Sequence, residues 1–370
     1  MPKRFLLVGG GSGGHVVPLV AVAESLRKLD PTVELMLLGE GQFLISAADQ
    51  AGLPYRIILA GKARRYFSPL TLLDPFKAII GFIQSLWHLY AYMPDAVFTK
   101  GGYASVMPAL AAKLNFIPVY THESDSIPGL SNRFLGKISA AVFISFESAG
   151  KYFKQKKTAL VGNPIRPEVV SGDRDTALQY FNLRTDKKTI LIAGGSQGAK
   201  RINDAILESL VLLVQQYQII HQCGDSQLQA VQAEVERYQK EGEQSYASMI
   251  QANYRLYPFF KFEEMALAYA AADIVISRAG ASNLSEIAVL GKPAIIIPIT
   301  QSTNNHQMQN ALEFQKYGAV ILEERNISSH ILLNQIEELL KPETAAAISA
   351  KIKEFAKPDA ADKIAQVLLS

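Results

Sequence analysis

Cysteine, net charge and long apolar runs are all scarce in this sequence. A single cysteine, Cys223, among 370 residues excludes an internal disulfide framework and a metal site made only of cysteines. A net charge of only +3 argues against a general nucleic-acid binder. The most membrane-like stretch, Phe76–Met93, is interrupted by polar residues and is shorter than the roughly 20 apolar residues that a bilayer span needs. We therefore expect a reducing, cytosolic setting and no transmembrane helix.

Apolar residues make up 49% of the chain, which is typical of globular packing. The length suits two domains of about 150–200 residues each. Short apolar runs alternate with helical stretches, as in parallel sheets covered by helices on both faces. Two of the predicted helices span Val17–Leu29 and Asn203–Gln215. The predicted strands are Arg4–Val8, Val33–Leu38, Arg56–Leu59, Ala96–Thr99, Val119–Thr121, Ala141–Ile144, Ala159–Val161, Thr189–Ala193, Gln218–Gln222, Tyr254–Pro258, Ile274–Ile276, Ala294–Ile297 and Ala319–Leu322.

Two glycine-rich turns, one in each half of the chain, are the most informative motif. Gly9–Gly14 follows the first predicted strand, and Gly194–Gly198 follows the strand Thr189–Ala193. A strand that runs through glycines into a helix N-terminus presents backbone N–H groups to an anion, usually a phosphate. Two such turns predict two nucleotide-type folds. The first turn also fits the pattern G-x-G-x-x-G, but Glu40 comes late for the confirming acidic residue, so a nicotinamide or flavin site is the weaker interpretation.

A connector rich in proline lies near the middle of the sequence. The segment Val161–Pro167 contains two prolines, a glycine and an asparagine, and it favours neither helix nor strand. It predicts an N-terminal domain over residues 1–163 and a C-terminal domain over residues 164–341. Residues 342–370 are predicted as a helical tail, for which packing back on the N-terminal domain is one arrangement.

Polar residues follow three strands of the first half. His15 closes the first glycine turn at the start of a helix, where the helix dipole favours a neutral imidazole that suits a general base. The segments Lys100–Ser105 and His122–Arg133 each follow another strand. Since ligands bind beyond the carboxyl ends of parallel strands, these segments predict one site, with ordinary surface turns as the alternative. His122 beside Glu123 is also compatible with a metal site, but no further ligand has suitable spacing.

Two polar segments follow strands of the second half. Ser277–Glu286 contains a tight Ala-Gly turn, after which Ser282 or Asn283 is positioned to cap a helix. Glu286 would then lie in the first turn, where it either completes a capping box or accepts both hydroxyls of a ribose. The run Gln301–Asn310 carries amides and hydroxyls typical of contacts with sugar hydroxyls, with a solvated loop as the alternative.

With these motifs in order along nearly the whole chain, the sequence resembles the MurG family of glycosyltransferases. The resemblance is carried by Gly10–His15, Gly101–Tyr103, His122–Glu123, Ile127–Asn132, Gly162–Arg166, Gly194–Ala199, Arg278–Ala281, Ser285–Glu286, His306–Gln307 and Asn310–Ala311. Members of the family transfer N-acetylglucosamine from UDP-N-acetylglucosamine to the lipid-linked muramyl-peptide precursor of peptidoglycan. The resemblance implies an α/β fold of the GT-B class, with two Rossmann-like parallel-sheet domains facing a central cleft. It also implies an inverting, metal-independent transfer that needs no cofactor.

The resemblance assigns roles to individual residues. It implies that His15 deprotonates the acceptor hydroxyl. The residues that would line the acceptor pocket are Tyr103, His122 and Glu123. The residues that would hold the donor are Ser12, Gly13, Gly14, Asp125, Arg166, Ser196 at the diphosphate, Phe262 near the uracil, Ala281, Ser285, Glu286 at the ribose and Gln307 at the sugar. The N-terminal domain would thus serve the acceptor, and the C-terminal domain would hold most of the donor.

Three positions depart from the usual family pattern. Ser12 replaces a threonine and keeps the hydroxyl, and Ser282-Asn283 replaces a Leu-Thr pair. Asp125 replaces an asparagine. A carboxylate near a diphosphate is repelled unless it is protonated or turned away, so at this position the resemblance and simple electrostatics disagree.

A lipid-linked acceptor also implies a peripheral protein at the cytoplasmic face of the cell membrane. The implied partners are UDP-N-acetylglucosamine, the undecaprenyl-linked acceptor and the inner membrane surface. The candidate interfacial patch is Phe76–Met93 with the preceding Lys62, Arg64 and Arg65, and an ordinary core-facing helix is the alternative. Two other functions remain as alternatives. One is another lipid-acceptor glycosyltransferase of the diacylglycerol type, and the other is a non-catalytic nucleotide-sugar-binding subunit.

Overall fold

The chain divides into two compact units. The computed structural model describes residues 2–11, 13–61, 73–195, 199–299 and 305–370. The first unit comprises Met1–Arg166 together with Lys357–Ser370, and the second comprises Pro167–Ala356. The chain therefore passes into the second unit inside the predicted connector and returns to the first unit for its last residues.

A parallel sheet of seven strands forms the centre of the first unit, in the order β3-β2-β1-β4-β5-β6-β7. These strands are β1 (Arg4–Gly10), β2 (Glu34–Glu40), β3 (Tyr55–Ile57), β4 (Ala96–Thr99), β5 (Val119–Glu123), β6 (Ala141–Ile144) and β7 (Thr158–Leu160). The helices that connect them are α1 (Gly13–Leu29), α2 (Gln42–Gln50), α3 (Asp74–Tyr92), α4 (Val106–Leu114) and α5 (Leu130–Ile138).

A parallel sheet of six strands forms the centre of the second unit, in the order β10-β9-β8-β11-β12-β13. The helices that precede, connect and follow its strands are α6 (Arg174–Tyr180), α7 (Lys200–Glu208), α8 (Leu210–Gln216), α9 (Leu228–Glu241), α10 (Gln244–Asn253), α11 (Phe262–Ala271), α12 (Ala281–Leu290), α13 (His306–Gln315), α14 (Ser329–Leu340) and α15 (Pro342–Phe355). The strands are β8 (Thr189–Ala193), β9 (Gln218–Gln222), β10 (Tyr254–Tyr257), β11 (Ile274–Ser277), β12 (Ala294–Ile296) and β13 (Val320–Ile321).

The two helices of the predicted C-terminal tail belong to different units. Helix α15 packs against α12 and α14 in the second unit. The last helix, α16 (Ala360–Leu369), packs against α1 in the first unit. Lys3 Nζ donates a hydrogen bond to the Leu369 carbonyl and so connects the last helix to the residue that precedes β1.

The strand predictions are confirmed, each with bounds within two residues of those observed. They succeed most directly for strands such as β1 and β8, which are buried on both faces and therefore appear in the sequence as continuous apolar runs. Every residue of β8 is buried, and residues 5–8 of β1 are at most 1% exposed.

The prediction of one helix over Asn203–Gln215 is wrong, because this stretch forms α7 and α8 with a break at Ser209. The buried Ser209 hydroxyl donates to the Ala205 carbonyl at 2.8 Å. Its Oγ also lies 2.9 Å from Ser329 Oγ, at the start of α14, within hydrogen-bond distance. Such local side-chain bonds compete with the helical backbone pattern and often bend or end a helix.

Candidate functional site

The candidate site of the first unit lies where the strand order of its sheet changes direction. Strand β1 lies between β2 and β4, and ligands of open α/β sheets bind beyond the carboxyl ends of strands at such a point. The glycine turn after β1 leads into α1, whose first residue is Gly13. The Lys100–Ser105 segment follows β4, and the Ser124–Gly129 loop joins β5 to α5. The predicted site loops therefore lie at one sheet edge.

His15 is the third residue of α1 and is half-buried at this edge. A Cβ atom built on Gly102 would lie 3.4 Å from both Cδ2 and Nε2 of His15, so the loop after β4 passes close beside the imidazole ring. Burial and the positive charge of Lys100 lower the pKa of His15 to about 4, against the opposing effects of Asp125 and a backbone hydrogen bond with Lys100. His15 is therefore an uncharged imidazole at neutral pH, as expected from its position at a helix N-terminus.

Tyr103 lies against the first glycine turn. A Cβ atom built on Gly11, whose φ is +87°, would lie 3.1 Å from Tyr103 Cε1 and 3.2 Å from its hydroxyl. The half-buried Tyr103, which follows β4, and His15, which lies in α1, thus both lie beside this turn. Gly14 is exposed and Gly13 half-buried, while Ser12 lies outside the described residues.

His122 and Glu123 end β5 and are buried, at 0% and 3% exposure. His122 Nε2 donates to the Gly162 carbonyl at 2.8 Å, which ties β5 to the connector. Burial and the charge of Lys100 hold the pKa of His122 well below its usual value. This interior placement does not suit the acceptor-pocket role that the resemblance implies for His122, and a positioning role fits its hydrogen bond better.

The Glu123 carboxylate organises the loop that follows β5. Its Oε1 accepts from the Asp125 backbone N–H at 2.8 Å, and its Oε2 accepts from Asn132 Nδ2 on α5 at 2.9 Å. Burial and the nearby Asp125 raise the pKa of Glu123 to about 7, although these hydrogen bonds and Lys100 act in the opposite direction. Both ends of the loop are thereby fixed to one carboxylate.

Gly101→Ala should destabilise the protein by about 1–3 kcal/mol through backbone strain, with a further loss from steric overlap. Gly101 has a φ of +82°, and a Cβ atom there would overlap the Asn132 amide that bonds Glu123. Gly129→Ala, in the loop that joins β5 to α5, is the matched control, because Gly129 has a φ of −66° and its Cβ would meet nothing within 4 Å. Denaturant unfolding measures both variants, and equal stability for the two would contradict the expected result.

The candidate site of the second unit lies at the carboxyl ends of β8 and β11, where its strand order changes direction. Gly194 and Gly195 follow β8, and α7 begins at Lys200, while Ser196 lies outside the described residues. The Ser277 hydroxyl at the end of β11 donates to the Ala193 carbonyl at 3.1 Å and so joins the two strand ends. The start of the second glycine turn, at Gly194 and Gly195, thus follows a strand end that is joined to the end of β11.

The prediction that Ser282 or Asn283 caps α12 is wrong. The helix begins at Ala281 with Gly280 as its N-cap, and Asn283 Nδ2 instead donates to Ser277 Oγ at 2.8 Å. Glu286 is therefore in the second turn rather than the first, and the capping-box interpretation is excluded by its position. It is half-buried, and its Oε2 accepts from the Tyr269 hydroxyl at 3.0 Å.

Four other predicted donor residues lie on α11, α12 and α13, which follow strands of the second sheet, and a fifth, Arg166, belongs to the first unit. Ser285 and Ala281 are buried in α12, and the Ser285 hydroxyl donates back to the Ala281 carbonyl at 2.8 Å. Gln307 lies in the first turn of α13, and its Oε1 accepts from the Ile299 backbone N–H at 3.2 Å. Phe262 is the half-buried first residue of α11. Arg166 is buried in the first unit, at the end of the connector.

Comparisons with known proteins match the chain over its whole length. The model of the glycosyltransferase family 28 N-terminal domain matches residues 5–144, and that of the C-terminal domain matches residues 189–364. The chain is 36% identical over 373 residues to a protein of Legionella pneumophila strain Paris, with 100% of the chain and 97% of the relative covered. That protein is named UDP-N-acetylglucosamine–N-acetylmuramyl-(pentapeptide) pyrophosphoryl-undecaprenol N-acetylglucosamine transferase. The chain belongs to this family, the MurG family.

Further relatives agree with the family assignment. A Bacillus anthracis transferase of the same name, numbered 2, is 34% identical over 340 residues, with 91% of each chain covered. The crystal structure of Acinetobacter baumannii MurG matches with a TM-score of 0.73 and 26% identity, covering 100% of this chain and 99% of that one. A UDP-GlcNAc 2-epimerase from Neisseria meningitidis, bound to UDP-GlcNAc, matches with a TM-score of 0.71 but only 14% identity, which shows a shared fold alone. The MurG resemblance seen in the motifs and the expected glycosyltransferase fold are thus confirmed.

Three residues that support the candidate sites of this MurG-family chain were not predicted from the sequence. Lys100 is 1% exposed, Asn132 bonds Glu123, and Tyr269 bonds Glu286. A charged residue directly at the end of a buried strand is the signal that could have identified Lys100. The partners of Asn132 and Tyr269 lie 9 and 17 positions away in sequence, and no local pattern indicates such contacts.

Proposed function

We propose that this chain transfers N-acetylglucosamine from UDP-N-acetylglucosamine to the muramyl-peptide of an undecaprenyl-pyrophosphate-linked acceptor, the step that converts lipid I to lipid II in peptidoglycan synthesis. The reaction is an inverting, metal-independent hexosyl transfer. The observation that carries the proposal is 36% identity over the full chain to a protein named for this activity. His15 acts on the acceptor, and the site around Glu286 holds the donor.

On the acceptor side, His15 is the general base. Its neutral ring can accept the proton of the attacking hydroxyl as the new glycosidic bond forms. An anionic donor nearby raises the pKa of a histidine, so donor binding makes His15 a stronger base than it is in the free protein. Tyr103 lines the acceptor pocket, whereas His122 and Glu123 hold the loops that shape it.

On the donor side, the second glycine turn and the N-terminus of α7 bind the diphosphate through backbone N–H groups. These groups stabilise the negative charge that develops on the UDP leaving group. Glu286 accepts hydrogen bonds from the ribose hydroxyls, Gln307 contacts the sugar, and Phe262 lies near the uracil. Arg166 and Ser12–Gly14 complete the donor contacts.

A transfer assay with several acceptors tests this function. The purified protein is incubated with radiolabelled UDP-N-acetylglucosamine and either the undecaprenyl-linked muramyl-peptide or diacylglycerol, and the lipid products are separated by chromatography. Label is expected only in the muramyl-peptide lipid. Turnover only with diacylglycerol would support the alternative glycosyltransferase, and donor binding without any transfer would support a non-catalytic subunit.

We further propose that the protein reaches its lipid acceptor by binding the cytoplasmic face of the cell membrane through α3. The exposed large apolar side chains of α3 are Phe76, Ile79, Ile80, Ile83, Trp87 and Tyr90. Their spacing of three and four positions places them on one helix face, which the alternative of a core-facing helix does not explain. Exposed apolar patches of this kind mark interaction surfaces. Among the described residues, no helix combines the length and apolarity needed to span a bilayer.

Two further exposed apolar residues, Leu114 and Phe116, lie at the end of α4, the helix that packs against α3. Leu114 ends α4 with 65% exposure, and Phe116 just beyond it is 95% exposed. The predicted basic residues Lys62, Arg64 and Arg65 lie outside the described residues.

The double variant Ile83→Glu/Trp87→Glu should lower binding to phosphatidylglycerol-containing vesicles by at least about 10-fold, because each apolar side chain lost from the interface removes about 1.5–3 kcal/mol. Vesicle sedimentation measures the bound fraction. Leu212→Glu, which changes a 45% exposed leucine of α8, is the matched control and should bind like the wild type. Unchanged binding of the double variant would contradict the membrane assignment of α3.

A further inference from the structure

Lys100 is a fully buried lysine at the edge of the candidate acceptor site. It follows β4 directly, is 1% exposed, and its backbone N–H donates to the Val8 carbonyl on β1 at 3.0 Å. Lysine is almost never fully buried unless its charge is paired. Neither the base, the acceptor pocket nor the donor contacts proposed above use this ammonium group.

The ammonium group of Lys100 is directed into the loop between β5 and α5. Its Nζ donates to Ser124 Oγ, and the charges of Glu123 and Asp125 act on it. Burial lowers the pKa of Lys100, against the opposing effect of both carboxylates, which favour the charged ammonium group. Lys100 is therefore the positive charge of a buried cluster that contains two acidic residues.

This cluster accounts for the aspartate at position 125. Glu123 is fixed by the Asp125 backbone and by Asn132, so it holds the loop in place. Asp125 is half-buried in that loop and interacts electrostatically with both Lys100 and His15. A partly buried carboxylate needs a nearby positive charge, and removing that charge is strongly unfavourable. Lys100 supplies the charge that allows Asp125 to lie close to a site for an anionic donor.

Lys100 and Asp125 shift the pKa of His15 in opposite directions. Lys100 lowers the pKa of His15, and Asp125 raises it. His122, which also faces Lys100, is neutral and hydrogen-bonded to Gly162. The charge state of the base therefore depends on Lys100 and Asp125 being present together.

We propose that Lys100 is a positioning residue of the transfer reaction: its buried ammonium group balances the Asp125 and Glu123 carboxylates and keeps their loop in a form compatible with an anionic donor beside His15. This inference rests on the proposed glycosyl transfer and extends it to a residue that contacts neither substrate. Lys100 and Asp125 should then behave as one unit when they are substituted.

A double-mutant cycle tests the pair. Methionine at position 100 keeps a long unbranched chain without the charge, and asparagine at position 125 keeps the shape without the carboxylate. Lys100→Met alone should lower kcat/KM about 10²-fold, because the carboxylates lose their counter-charge. The double variant Lys100→Met/Asp125→Asn restores the charge balance and should recover to within about 10-fold of wild type. Losses that simply multiply in the double variant would overturn the proposal.

Histidine titration by NMR provides a readout that a merely structural role would not change. Lys100→Met should move the His15 midpoint upward from about 4 by about one pH unit, and the double variant should move it back toward the wild-type value. Lys292→Met is the matched control. Lys292 is a half-buried lysine after the C-terminal end of α12, and its removal should leave the His15 midpoint unchanged.

An unchanged His15 midpoint in Lys100→Met would contradict the proposal. The titration needs no turnover, so it tests Lys100 separately from the proposed function. Failure of the wild type in the acceptor assay would count against the transferase activity and not against the charge pair. If Lys100→Met does not fold, the double variant tests the same claim, because restored charge balance should restore folding along with activity.

Discussion

His15→Ala should lower turnover by roughly 10²–10⁴-fold while UDP-N-acetylglucosamine binding stays nearly unchanged. The imidazole lies in the first turn of α1, beside the loop after β4, and burial and Lys100 keep it uncharged at neutral pH. An uncharged ring can take the acceptor proton at the moment of attack. In the proposed assignment most donor contacts belong to the second unit, so donor binding should not depend on that ring.

Steady-state kinetics and calorimetric titration with UDP separate the two effects for His15→Ala. His330→Ala, at an exposed histidine on α14, is the control and should match the wild type in both measurements. A turnover within about 3-fold of wild type for His15→Ala would remove His15 from the role of general base, because general-base catalysis typically contributes 10²–10⁴-fold.

Glu286→Ala should weaken UDP binding by at least about 10²-fold, because two hydrogen bonds to a carboxylate each contribute about 1.5–3 kcal/mol, net of their exchange with water. At saturating donor its turnover should fall much less. The carboxylate lies in the second turn of α12 and is oriented by the Tyr269 hydroxyl at 3.0 Å. It is therefore held in place before the ribose arrives.

Two further measurements, on Tyr269→Phe and with 2′-deoxy-UDP, test whether Glu286 contacts the ribose. The phenylalanine variant removes only the orienting hydroxyl of a fully buried ring, and its effect on UDP binding should be smaller than that of Glu286→Ala. The wild type should lose affinity for 2′-deoxy-UDP relative to UDP, whereas Glu286→Ala should bind the two ligands about equally. A ribose preference that survives in Glu286→Ala would refute the ribose contact.

The fold could be predicted from the sequence because its central strands are apolar on both faces. Runs such as residues 189–193 are completely buried, and their continuous hydrophobicity is a strong local signal. The starts of the two glycine turns were also readable, because glycines directly after an apolar run are typical of the end of a buried strand. Breaks within helices were not readable. Ser209 ends α7 through contacts with Ala205 and with Ser329, 120 positions away.

The site was predictable in its position and less so in the roles of its residues. His15 and Tyr103 do lie together, because their loops follow adjacent strands of one sheet. The burial of His122 and the pairing of Lys100 with the loop after β5 depend on tertiary packing that no local motif reports. The start of α12 was predicted at the wrong residue. Asn283 is a good capping residue by type, but its side-chain amide donates to Ser277 instead.

The anomeric configuration of the product tests the central claim most directly. UDP-N-acetylglucosamine carries an α linkage, and a single displacement with His15 as the base inverts it. NMR of the product made from the undecaprenyl-linked muramyl-peptide, with EDTA present throughout, is expected to show a β-linked N-acetylglucosamine formed at the same rate as without EDTA. An α-linked product, or a reaction that stops in EDTA, would contradict an inverting, metal-independent transfer driven by His15.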